Sequence, residues 1–147
     1  MEGVIFKSKK IDKIFLILYF GFFMLMMIFT LYTYYVEQDL KVFLLGFIGG
    51  LPLILSFAAS QWLKIIVRNE ELIIHWFFTL YKTKIKNITK IRKGETLWSG
   101  LHKYGTTSKG LIIFSKFKND LYITPENEEL FFQQILAINS DISIEKV

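Results

Sequence analysis

The chain has 147 residues, a net charge of +5, 52% hydrophobic residues and a mean hydropathy of +0.39. It has no cysteine, which excludes disulfides, thiolate metal sites and cysteine catalysis. A soluble domain is about 45–50% apolar with glycine included; the excess here lies almost wholly between Ile14 and Leu63, so a small domain plus a membrane anchor is expected.

Residues 1–13 read as a basic tail carrying Lys7, Lys9, Lys10 and Lys13. Residues 14–36 follow without a charge. As a helix they rise about 35 Å, enough for a hydrocarbon core of about 30 Å. Tyr32, Tyr34 and Tyr35 cluster at the far end, where amphipathic rings prefer the headgroup level. A cleaved signal peptide has a shorter apolar core and a small-residue cleavage site, and this run has neither.

Residues 37–41 form a short extracytoplasmic connector, and residues 42–63 are a second uncharged span ending near Trp62. So short a connector makes the two helices an antiparallel hairpin. Lysines before the first span, with Lys64 and Arg68 after the second, put both termini in the cytoplasm of a multi-pass plasma-membrane protein. Gly46 and Gly50 stand four apart and suit close helix packing, within the hairpin or between two copies. Neither span contains an ionisable Asp, Glu, Lys, Arg or His, which argues against an ion or proton pathway.

From Lys64 the pattern becomes β-rich. Residues 65–67 and 72–78 are apolar runs separated by a hairpin turn at Arg68-Asn69-Glu70-Glu71. Residues 82–86 alternate, 98–110 read as a long polar loop or an irregular strand pair, and 111–114 and 121–123 are strands joined by a turn at Lys118-Asn119-Asp120. A helix ends the pattern. Thr124 is placed to cap it, Pro125 suits its first position, and Phe131, Ile135 and Ile138 recur along one face. Antiparallel strands closed by one helix define an α+β class.

Residues 71–138 resemble the bacterial pleckstrin-homology (PH) domains of membrane-anchored Gram-positive proteins, the YyaB-like group. The resemblance is carried by Ile85-Lys86-Asn87-Ile88-Thr89-Lys90-Ile91, by the loop through Thr107-Ser108-Lys109, and by Leu121-Tyr122-Ile123-Thr124-Pro125 leading to Phe131 and Phe132. Where that family often carries Asp-Arg, this chain has Lys109-Gly110. The resemblance implies a PH-like antiparallel split β-barrel over residues 64–147, capped by the C-terminal helix. It also implies a direction: some small membrane-anchored PH-like proteins protect their host against secreted bacteriocins. An immunity role predicts raised tolerance to a membrane-active peptide in a sensitive host, and unchanged sensitivity across a broad panel removes it.

Charge is uneven. Residues 82–118 hold ten Lys or Arg against Glu95 alone, and residues 120–147 hold six acids against Lys146. Lys82, Lys84 and Lys86 alternate, so as a strand they share a face; Lys90, Arg92, Lys93 and Lys103 extend the basic region. Two readings stand: a surface facing anionic lipid headgroups or an acidic membrane-protein partner, and a solvated face that blunts a sheet edge. Trp98 beside these lysines is either an interfacial anchor or the plug of a barrel end.

His75 and His102 lack ligand-like spacing, and no nucleophile, base and orienting group can be assembled. A non-enzymatic module without cofactor or metal is expected, lying on a lipid bilayer and binding no nucleic acid. The alternative is a scaffold or accessory subunit that binds peptide by strand addition.

Overall fold

The two uncharged runs form helices in the computed structural model, which describes residues 3–147. Helix α1 spans Lys13–Glu37 and α2 spans Leu40–Trp62, so Gln38 and Asp39 alone join them. Both are long and apolar enough to cross a membrane. A soluble core helix is mostly buried, whereas only 11% and 6% of their apolar windows are. Leu18, Phe20, Leu25 and Phe29 of α1 and Leu45 and Ile48 of α2 are exposed instead.

The hairpin packs through aromatic pairs and small residues. Tyr19 meets Phe57 and Tyr34 meets Phe43, with centroids 5.8 and 5.7 Å apart. As one number rises the other falls, the mark of antiparallel neighbours. Gly46 and Gly50 both face α1: a methyl group at Gly46 would collide with Thr30, and one at Gly50 would lie 2.6 Å from Met26 Cε. The Thr30 hydroxyl donates to the Met26 carbonyl at 2.9 Å, so this polar group is satisfied within its own helix.

The second body comprises Ser60–Val147 together with the segment up to Asp12. Its first sheet is antiparallel, in the order β1 (Val4–Lys7), β2 (Lys64–Arg68), β3 (Glu71–His75) and β4 (Thr79–Lys84). Its second sheet contains β5 (Ile88–Glu95), β6 (His102–Lys103), β7 (Gly110–Ser115), β8 (Lys118–Ile123) and β9 (Ser143–Lys146). Their order is β6-β8-β7-β5-β9, with β9 parallel to β5 and β6 parallel to β8. Helix α3 (Glu128–Ile138) closes the core with Phe131 and Ile135 against Ile65, Leu72, Ile74 and Ile91. Fully burying a side chain of this size stabilises the fold by about 1.5–3 kcal/mol.

Several local expectations shift. Val4–Lys7, read from the sequence as part of a basic tail, is a strand whose Phe6 is buried against Phe131, 5.5 Å between ring centroids. The helical hairpin is therefore inserted between two neighbouring strands of one domain. Asn127, not Thr124, caps α3: its Oδ1 accepts from Leu130 N at 3.0 Å. Thr124 is buried and its hydroxyl meets that of Ser8 at 3.0 Å, while Pro125 bridges to Ser8. The turn before β8 is Lys116-Phe117, and Lys118-Asn119-Asp120 belongs to the strand. Strand β3 stops at His75, and Trp76–Phe78 form a turn.

Candidate ligand surface

The basic residues divide by how the fold uses them. Lys82 and Lys84 share the outer face of β4, alternating with buried Tyr81 and Thr83. Lys86 does not continue that face, because β4 ends at Lys84 and Ile85–Asn87 is a 3-10 turn. Lys82 pairs with Glu71 and Lys86 with Glu70, both at 2.8 Å. On β5, Lys90 and Arg92 reach Glu145 of β9 at 2.9 and 3.8 Å, Arg92 also meets Glu95 at 3.0 Å, and both cations lie over the Phe114 ring.

Lys93 points to the start of α3, where it and Lys9 hold Glu128. Burial works to raise that carboxyl, but hydrogen bonds and charge from Lys9 and Lys93 outweigh it, so Glu128 titrates below its ordinary value. Thus the acidic C-terminal stretch folds back on the basic one. Among the described residues Lys84, Lys109, Lys116 and Lys118 make no carboxylate ion pair.

Part of that remainder lines a seam. Strand β4 is the edge of the first sheet, and no ladder joins it to the second. Side chains bridge the gap: Tyr104 donates to the Leu80 carbonyl at 3.4 Å, Lys118 donates to the Lys82 carbonyl, and Tyr81 donates to the Asn119 carbonyl at 3.4 Å. Two clefts of about 510 and 470 Å³ open along it, both lined by Lys82, Phe117 and Lys118, the second also by Lys84. Burial raises the hydroxyl pKa of Tyr81 and of Tyr104, so both stay protonated donors at neutral pH. No local sequence signal points to this seam, since it joins strands distant in the chain.

Trp98 is 74% exposed and does not plug a barrel end. The Lys103 ammonium lies 5.7 Å from its ring centroid and 5.9 Å from that of Tyr122, and burial lowers the Lys103 pKa. Lys103 is thus a packed cation. His102 sits between tyrosines: its Nδ1 is 3.1 Å from the Tyr104 hydroxyl and its ring is 4.8 Å from Tyr81. Among the described residues no group of His, Asp and Glu is placed to hold a metal ion.

Two sheets around one core, an open seam between them and a C-terminal helix closing one end define a PH-like split barrel. A family model described as Bacterial PH domain matches residues 63–139, and the chain belongs to that family. Comparison with curated proteins and with solved structures returns no match.

Proposed function

We propose that the chain is a membrane-anchored, non-catalytic PH module that holds an anionic ligand at the cytoplasmic face of the plasma membrane. The observation that carries this reading is the seam beside β4, where Lys82, Lys84 and Lys118 converge on an edge that no strand covers. A lysine close to an anionic bilayer contributes about 1 kcal/mol of attraction. The hairpin accounts for the anchor, and the lysines flanking it account for the orientation.

The test uses the full chain in mild detergent, titrated with short-chain phosphatidylglycerol or phosphatidylcholine at low and high salt. Salt-sensitive binding of the anionic lipid, lost in a Lys82→Ala/Lys84→Ala/Lys118→Ala variant, supports the reading. Equal binding of both lipids, or none at low salt, removes it.

A second reading, an accessory subunit that binds peptide, is favoured by the same edge. Leu80 and Lys82 offer their carbonyls to side chains there, as an added strand would require once those side chains move. Co-purification of one stoichiometric partner, lost when proline replaces Lys82, is its check.

A further inference from the structure

The turn between β3 and β4 consists of three successive aromatics, Trp76, Phe77 and Phe78. The backbone folds tightly there, with Trp76 N donating to the Phe78 carbonyl at 3.0 Å. The rings of Trp76 and Phe77 lie 4.7 Å apart and tilted by 54°, yet Phe77 is 76% and Phe78 61% exposed. Water is a poor environment for so much apolar surface on one tight turn. The interfacial layer of a bilayer is a good one, since it takes rings and cations together.

The ladder fixes where this turn sits. His75 pairs with Lys64, and Lys64 with Lys7, so the turn lies at the sheet end where β1 leaves for α1 and β2 arrives from α2. A cleft of about 790 Å³ opens at that end, lined by Lys7, Lys10, Trp62, Lys64, Trp76 and Phe77 among others. Trp62 is the last residue of α2 and is itself largely exposed.

We propose that Trp76–Phe78 is a lipid-inserting wedge, seated in the headgroup layer of the leaflet where α2 ends, with Lys7, Lys10 and Lys64 placed to meet lipid phosphates. The occupant is the phospholipid surface itself. Continuity with Trp62 and the positive charge of the cleft argue for it over a protein partner. The proposal rests on the reading of α2 as a membrane span. It adds a contact at the turn that opens β4, whereas Lys82 and Lys84 lie further along that strand.

The experiment reads tryptophan emission of the full chain in nanodiscs of phosphatidylcholine and phosphatidylglycerol, with lipids brominated near the top of the acyl chain. One variant keeps Trp76 alone (Trp62→Phe, Trp98→Phe), and a second keeps Trp62 alone (Trp76→Phe, Trp98→Phe). Strong quenching of both supports the wedge, with the Trp76 quenching weakened by Phe77→Ser/Phe78→Ser. Quenching of Trp62 with none of Trp76 overturns the wedge and leaves the span standing. Quenching of neither overturns the span and the wedge with it.

Discussion

Lys7 and Lys64 stand opposite each other in the β1–β2 ladder, although both long apolar helices lie between them in the chain. The domain is thus built from sequence on both sides of the hairpin and has two covalent connections to it. Phe6 makes the point energetically, being buried on Phe131 and on the core of the domain. Phe6→Ala removes a core aromatic and is predicted to cost about 3–5 kcal/mol. Hydrogen exchange of the β7 amides in the detergent-solubilised protein checks it, with Ile5→Ala, on the exposed side of β1, as the near-neutral control.

The β2–β3 turn carries a correctable strain. Asn69 and Glu70 have φ of 50° and 60°, the pattern of a type I′ turn. Asparagine tolerates this region, whereas glutamate there costs about 1–2 kcal/mol relative to glycine. The exposed Glu70–Lys86 pair offsets only about 0–1 kcal/mol. Glu70→Gly is therefore predicted to stabilise the domain by about 0.5–1 kcal/mol, read from the same exchange measurement.

Glu128 sets an acid limit. Its folded pKa lies below its unfolded value because Lys9 and Lys93 hold the charged form against the effect of burial. A depressed carboxyl contributes stability that is present above the unfolded pKa and is lost as pH falls through the folded one. Stability should therefore decline below about pH 4.5, the ordinary value for this group. Glu128→Gln should flatten that part of a pH-dependent denaturation series while lowering stability at neutral pH. An unchanged acid limb would assign the loss to other carboxylates.

The hairpin face can be tested with paired glycines. A side chain at Gly46 meets Thr30, whereas at Gly49 nothing lies within 4 Å. Gly46→Leu is predicted to lower the thermal midpoint of the detergent-solubilised protein, and Gly49→Leu to leave it in place. The reverse order would put the tight face of α2 elsewhere.

What the sequence reveals depends on the range of each interaction. The two long apolar helices are legible because each is an unbroken uncharged run. The turn at Asn69-Glu70 is legible from its own polar residues. Strands β1 and β9 are not, because each is four residues long and is fixed by a distant partner: Phe6 sits against Phe131, and Ile144 pairs with Ile91. Lysines near the first span read as an orientation signal, which hides the strand that Lys7 belongs to. Trp76–Phe78 reads as more strand because aromatics favour sheets, and the bulge at Ile74/His75 ends the run instead.

The basic surface follows the same division. The alternation of Lys82 and Lys84 shows in the sequence, but the pairing of Lys90 and Arg92 with Glu145 needs the parallel β5–β9 ladder. Counting lysines alone therefore overstates how many are available to a ligand. Tyr81, Tyr104, Phe117 and Lys118, which build the seam, carry no local mark of it.

We propose that the helical hairpin crosses the membrane and holds the PH domain on the cytoplasmic side. The absence of cysteine makes single-site labelling direct. Glu37→Cys, at the end of α1, and Phe117→Cys, in the β7–β8 turn, are treated in intact cells with a membrane-impermeant maleimide. The residue 37 variant should be labelled at once and the residue 117 variant only after permeabilisation. Labelling of both from outside, or of residue 117 alone, contradicts it.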